Sequence, residues 1–323
     1  MPHIESSPLQ SPVIAAIVIG LFGLFGCGFG AEDSDSSGAD NGGDNPSLET
    51  SAISAGGSHT CAIDSSDSLH CWGSNAHGQL DHLSGAFQDI SAGMRHACGV
   101  DISDHTHCWG AVESGQSEPP EQTFVALEAG TVHSCALDAD GRITCWGDDD
   151  SGRLEAPDET FRQLSTGHTH ACGVDTEDQL HCWGEDLFGE ADGPEGSFLQ
   201  VSAGARHSCA IDTDNRLHCW GDGEEELDDP LIDDDENRVD APAGDFEYLS
   251  AGHDHSCAID TEQRLQCWGV DSHGQTDPPA GQFVELSAGD SHNCAVDTDG
   301  GIQCWGDDTQ DQSSPPDIEL LGR

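Results

Sequence analysis

The sequence predicts an all-β protein, a seven-bladed β-propeller built from 37-residue repeats. Three observations carry this. One motif, Gly-x-x-His-x-Cys followed ten residues after its Cys by a second Cys and Trp-Gly, recurs seven times, with Ser-Ala before the Gly in five copies. The copies are spaced 37 residues apart, with a single 48-residue interval between the fifth and sixth. Each copy holds three to four short strand-like segments, and such units close a common core only by stacking on their neighbours.

The central segment of each copy reads as a β-hairpin. In the first, Thr60 to Ile63 and Leu69 to Trp72 are the strands, joined by the polar stretch from Asp64 to Ser68. An Asp opens this turn in every copy, where a carboxylate can accept bonds from turn amides. Setting Cys61 opposite Cys71 places Ile63 opposite Leu69 and His59 opposite Gly73. Alternation puts these on one face and Ala62, His70 and Trp72 on the other. Upstream lies a second strand signal, Phe-x-x-Leu-Ser-Ala-Gly or a close variant, beginning at Phe87, Phe124, Phe161, Phe198, Phe246 and Phe283. Its Phe and the aliphatic residue three on should face opposite ways, as in a strand covered on both sides. Downstream of Trp-Gly comes a turn in Gly-Gln-Leu or looser form. Ring closure also leaves a trace. Ile318 to Leu321 imitates the Phe-x-x-Leu segment, and Ala52 to Gly56 imitates its latter half, so one terminus is expected to complete a blade begun by the other.

The motif uses all seven Trp (Trp72, Trp109, Trp146, Trp183, Trp220, Trp268 and Trp305) and fourteen of the fifteen Cys. The pairs expected as disulfides are Cys61–Cys71, Cys98–Cys108, Cys135–Cys145, Cys172–Cys182, Cys209–Cys219, Cys257–Cys267 and Cys294–Cys304. Metal ligation is the competing reading, because each copy has His-x-Cys and four have a His before the second Cys: His70, His107, His181 and His218. Those four point away from the Cys face, and the other copies carry Thr144, Gln266 and Gln303 there. Opposed Cys on adjacent strands of an exported chain favour bridges. The His before each first Cys (His59, His96, His133, His170, His207, His255 and His292) recurs in every blade. A catalytic residue need not do so, and a structural one must. These His are expected to bond within their own blade and pack over Gly.

The pattern Gly-x-x-His-x-x-Ala, then Trp-Gly, then Gly-Gln-Leu resembles the regulator of chromosome condensation repeat over roughly residues 52–316. The resemblance implies a seven-bladed propeller that presents loops to protein partners. The chain departs from that pattern in its Cys pair per blade, its shorter repeats and its degraded Gly-Gln-Leu.

The chain carries 62 acidic residues against nine basic ones, all of them Arg, for a formal charge of −53. That excludes nucleic acid as a partner, since phosphates require a basic patch. Residues 1–26 read as a signal peptide, with the apolar run Val13 to Gly26 as its core. Cys27 follows as a lipidation site of bacterial lipoprotein type. Residues 27–47 form a Gly/Ser/Asp linker, and residues 48–323 the propeller, with an acidic insertion at about 222–244. The expected location is the bacterial cell envelope or surface, with membrane contact only through the lipid at Cys27 and a monomeric state.

Neither a nucleophile elbow, nor a phosphate-cradling loop, nor a His-Glu-x-x-His motif is present. No catalytic residue, metal site or cofactor is expected. The acidic insertion lacks the spacing of a Ca²⁺ loop. The expected function is a non-catalytic scaffold that recognises a protein or glycan through propeller loops. The alternatives are a carbohydrate-active lyase or hydrolase with acids at the propeller rim, and, from the family resemblance, a secreted enzyme inhibitor.

Overall fold

The computed structural model describes residues 52–221, 238–318 and 320, all within the unit Asp44–Arg323. The expected signal peptide, Cys27, the linker and most of the acidic insertion lie outside the described residues. The described chain forms seven antiparallel three-stranded sheets, one per repeat, each with strands adjacent in chain order. The inner strand of a blade ends in Ser-Ala in five blades, as in Phe87–Ala92, in Glu-Ala in the third and in Ser-Thr in the fourth. The middle strand starts at the repeated His, as in His96–Asp101. The outer strand ends at Trp-Gly, as in Thr106–Gly110.

The hairpin register is the one the Cys pairs demand: Cys61 opposes Cys71, Ile63 opposes Leu69 and His59 opposes Gly73. All seven pairs are bridged, with Cα atoms 4.0–4.1 Å apart. The turn Asp acts as expected. Asp64 Oδ1 accepts from the amides of Ser66 and Ser68, and Asp64 Oδ2 pairs with His70 Nε2 at 2.7 Å. His107, His181 and His218 repeat that pairing with Asp101, Asp175 and Asp212. Gln266 and Gln303 take the same place against Asp260 and Asp297. The four His therefore brace a turn and stand apart from the Cys.

The core lies between blades. Cys61, Ile63 and Leu69 of the first blade pack against Phe87, Ile90, Ala97 and Trp109 of the second. Cys98 and Val100 meet Phe124, Leu127, Ala136 and Trp146 of the third in the same way. Phe87 and Ile90 thus share one face, contrary to the alternation expected three residues apart. A β-bulge between Phe87 and Asp89 supplies the extra residue that reverses the parity, and four other blades carry the same bulge.

Ring closure uses both ends of the chain. The first blade takes its inner strand from Ile53–Ala55. The Phe position of that blade is filled by Leu320, whose amide bonds to Gly300 O as Phe161 bonds to Gly141 O in an ordinary blade. Leu320 is buried with Ile53, Ala62 and Trp72. The substitute for Phe is thus Leu320 and not Ile318, two residues later than the sequence imitation suggests.

Candidate functional site

The repeated Trp and His knit one blade to the next. Each Trp indole N–H donates to a backbone carbonyl in the Gly-Gln-Leu turn of the preceding blade, 30 residues earlier for six of them and, across the ring closure, at Gln312 for Trp72. Trp109 reaches Gln79 O at 2.7 Å, and Trp146 reaches Gln116 O at 2.9 Å. The degraded motif keeps its purpose, because Arg153 and Glu190 offer the same carbonyl to Trp183 and Trp220.

The repeated His bonds to the following blade and not, as expected, to its own. His96 Nε2 meets Ser134 Oγ at 2.8 Å, His170 meets Ser208, His207 meets Ser256, His255 meets Asn293 Oδ1 and His292 meets Thr60. The residue after the His supplies the partner, and it also donates to the turn carbonyl: Ser134 Oγ to Gln116 O and Asn293 Nδ2 to Gln275 O. A hydroxyl or amide that donates onward must accept from the ring, so the network assigns the proton to Nε2. Burial pushes the imidazoles far below their ordinary value, to about 4 for His59 and His170 and about 3 for His96, His133, His207 and His292. They are neutral at pH 7. The expected packing over Gly is present: a Cβ on Gly56 or Gly93 would collide with the His59 or His96 ring.

Two links of this ring are missing. Ala97 and Ala171 stand where the other blades carry Ser, Asn or Thr, and both ring nitrogens of His59 and His133 are buried without partners. Ala97→Ser and Ala171→Ser each give the ring an acceptor and the hydroxyl a turn carbonyl. Each is expected to raise stability by about 1 kcal/mol, read as a higher denaturant midpoint at unchanged m. A lower midpoint would show that the hydroxyl does not fit.

The inner strands surround a central channel. Ser54, Ser91, Ser165, Ser202, Ser250 and Ser287 each accept the amide of the neighbouring inner strand at 2.9–3.0 Å. Glu128 holds the corresponding position in the third blade. Burial and the nearby Asp89 raise its carboxyl to about 8.

The channel opens at the turns from inner to middle strand, the Gly-x-x-His segments. A Cβ on any of the seven turn glycines (Gly56, Gly93, Gly130, Gly167, Gly204, Gly252 and Gly289) would strike the carbonyl of the next in the series, and the last meets the first. Glycine is required because the blades touch here. The two residues after each glycine are held at the rim of this mouth and differ in every blade. The first of the pair is Gly57, Met94, Thr131, His168, Ala205, His253 or Asp290; the second is Ser58, Arg95, Val132, Thr169, Arg206, Asp254 or Ser291.

The mouth is polar and locally organised. His253 Nδ1 pairs with Asp254 Oδ2 at 2.7 Å, and Arg238 Nε donates to Asp254 Oδ1 at 2.9 Å. His168 Nδ1 lies 3.1 Å from Thr131 Oγ1, and the rings of His168 and His253 meet edge-on with centroids 5.6 Å apart. The Asp254 bond raises His253 above the ordinary imidazole value. Burial and repulsion from His253 lower His168. Burial and the Asp254 charge raise Asp290. Arg206 lies over the Phe188 ring, 4.9 Å from its centroid. Among the described residues, no group of three His, Cys, Asp or Glu side chains is placed to hold a metal ion.

Seven three-stranded blades, each pinned by a disulfide around a narrow channel, define a closed β-propeller whose repeated residues are spent on holding each blade together and joining it to the next. Residues 51–79, 124–153, 198–225, 247–275 and 283–312 match the family model of the regulator of chromosome condensation (RCC1) repeat, and the chain belongs to that repeat family. Solved structures share the fold at low identity. The CRINKLY WD40 ectodomain of the receptor kinase ACR4 from Arabidopsis thaliana aligns at 24% identity over 84% of this chain and 99% of its own, with a TM-score of 0.69. The ectodomain of the Physcomitrella patens receptor kinase CR4 gives 23% over 79% and 73%, with a TM-score of 0.65. Yeast RCC1 (Prp20), solved with Kap60, gives 16% over 78% and 81%, with a TM-score of 0.64. No curated protein matches the sequence.

The sequence points to propeller loops without singling out these turns. The mouth pairs were missed, although they had a signal: two unlike residues framed by an invariant Gly and an invariant His.

Proposed function

We propose that the protein is a non-catalytic binding scaffold that engages a protein or glycan partner through the face onto which the channel mouth opens. One observation carries this reading. The Gly-x-x-His turns hold seven different residue pairs at one place in space, while the residues on either side are fixed by packing. Blade closure does not require the variation, so a ligand surface is its natural use. The fold is consistent with this: yeast RCC1 was solved bound to Kap60, and a structural study of Prp20p concerns its binding to Gsp1p and histones. Export and tethering through a lipid on Cys27 belong to the same proposal, and loss of acyl labelling in Cys27→Ser tests them.

The test places a photocrosslinking residue at Thr131, in the mouth, and at Glu177, on the exposed Asp turn at the opposite end of the middle strand. Envelope extracts and secreted fractions supply the partners. A defined partner captured from Thr131 and not from Glu177 is expected. Capture from Glu177 alone would overturn the choice of face. A captured enzyme that loses activity would make the scaffold an inhibitor. Turnover of a polysaccharide without any captured partner would favour the carbohydrate-active reading, with the Asp254-held His253 as its first candidate.

A further inference from the structure

One junction of the ring differs from the other six, and it is not the one where the chain ends meet. At six junctions the turn at the mouth sends a backbone amide into the next blade. Gly57 reaches Gly93 O, Met94 reaches Gly130 O, His168 reaches Gly204 O, Ala205 reaches His253 O, His253 reaches Gly289 O and Asp290 reaches Gly56 O, all at 3.1–3.2 Å. Among the described residues, no such bond joins Thr131 to Gly167. The same six junctions carry the inner-strand Ser that accepts an amide of the next blade. Between the third and fourth blades Glu128 takes that place, and its Oε2 turns back to Ser91 of the second blade at 3.5 Å. Thr166, whose amide the missing Ser would accept, stands where the other six blades carry Ala. Its Oγ1 is buried without a partner.

Two further links fail at this junction. His133 faces Ala171, and neither of its ring nitrogens is bonded. Ala126 holds the position from which Asp89, Gln163, Gln200 and Glu285 each accept an inner-strand amide of the following blade, at 2.7–3.1 Å. The junction of the first and second blades also lacks its His bond, but it keeps the turn bond and the Ser bond. The junction of the chain ends keeps all four kinds of link. What joins the third blade to the fourth starts mostly from the outer strand and from the far end of the inner one. Trp183 donates to Arg153 O at 3.1 Å, Phe161 N donates to Gly141 O at 2.7 Å, and Cys135 packs with Leu164, Ala171 and Trp183. At the mouth one bond is left, between Thr131 Oγ1 and His168 Nδ1 at 3.1 Å.

A junction with so few channel-side bonds opens locally at lower cost than its neighbours. We propose that the channel side of the junction between the third and fourth blades is a seam, latched at the mouth by Thr131 and His168 and built to open when that latch is taken. Both residues are first members of mouth pairs, so a ligand that bonds either side chain releases the last bond. This use of the seam rests on the mouth being the binding surface; the seam itself does not.

The test uses matched reporters in the full chain, Ala97→Cys and Ala171→Cys. Both positions are wholly buried and face a His without a partner, one at the junction of blades one and two and the other at the seam. Thiol labelling of the native protein, read by mass spectrometry at each introduced position, measures how often each junction opens. The thiol of Ala171→Cys should react about tenfold faster or more, as two missing hydrogen bonds imply. Thr131→Val imitates a ligand that takes the hydroxyl. It should speed labelling at Ala171→Cys by about fivefold, the value of one hydrogen bond, and leave Ala97→Cys unchanged. Glu128→Ser restores the missing acceptor and should slow labelling at Ala171→Cys by a similar factor. Equal rates for the two reporters, or a Thr131→Val change that is absent or the same at both, would overturn the proposal. A partner captured from Thr131 together with equal rates would leave the binding face standing and sink the seam alone. A fast, latch-dependent thiol at Ala171→Cys with no partner captured would do the reverse.

Discussion

Between pH 6.5 and pH 4, in high salt, the melting temperature of the propeller falls steeply. The seven repeated His are the cause. Unfolded, each binds a proton near pH 6.5. Folded, burial holds six of them at about 3 or 4, and His255 is lowered in the same sense. Across that window the unfolded chain takes up more protons than the folded one, so stability rises with pH and is lost as pH falls. Each His contributes a slope of up to about 1.4 kcal/mol per pH unit. Seven act together, against a total stability of roughly 5–15 kcal/mol for an ordinary domain. Glu128, Glu190, Asp290 and His253 work the other way, because folding raises their values and favours their protonated forms. Four groups do not offset seven. The high salt matters because acidification also relieves the repulsion of a −53 chain. A second loss follows below about pH 3.8. Burial opposes ionisation of turn carboxylates such as Asp101, but bonds from His107 and the turn amides outweigh it and hold the folded value at about 2. Thermal melts followed by circular dichroism from pH 7.5 to 4 measure the profile. A flat melting temperature between pH 6.5 and 4.5 would contradict the neutral, buried assignment of these rings.

Reduction of the disulfides is expected to abolish the fold. Each bridge closes residues ten apart in sequence, a loop worth about 3 kcal/mol in the chain-entropy model. A blade offers little else of its own: three short strands, one Trp and one Phe or its substitute. The inner Cys of each pair, such as Cys61, Cys98 and Cys135, is wholly buried, so reductant acts only on opened molecules. Protein denatured, reduced and diluted into reducing buffer should not regain its strand signal, whereas oxidised protein should. Removing one bridge through Cys61→Ala with Cys71→Ala should lower stability by about 3 kcal/mol, or roughly 6–12 °C for a domain of this size. A fully reduced protein that melts within a few degrees of the oxidised one would show that the inter-blade core suffices alone.

These expectations show where the sequence was informative. Blade number, hairpin register and Cys pairing were legible because a period of 37 and a spacing of ten leave few arrangements. The partner of each His was not. His96 and Ser134 lie 38 residues apart, and a repeat repeats its neighbours as faithfully as itself. A bond from one copy to the next therefore looks the same in sequence as a bond within a copy. The Phe87 face was misread because a bulge changes parity without any fixed residue to announce it. The closing residue, Leu320, was misplaced by two because an aliphatic run offers several mimics of Phe-x-x-Leu. The mouth went unread for a different reason. Its residues share no type, and only the Gly ring shows that they meet.

The central claim is that the repeated residues build the ring and the mouth pairs serve a ligand. A single variant separates the two: Met94, Thr131, Ala205 and Asp290 changed to Gly, with Arg95, Val132, Thr169, Arg206 and Asp254 changed to Ser, so that these positions copy Gly57 and Ser58. His168 and His253 are kept to preserve packing at the opening. The measurement is partner capture and melting temperature on the same preparation. The account predicts a propeller that still melts cooperatively, with capture lost. Full capture by the uniform mouth, with a melting temperature near that of the natural chain, would contradict it.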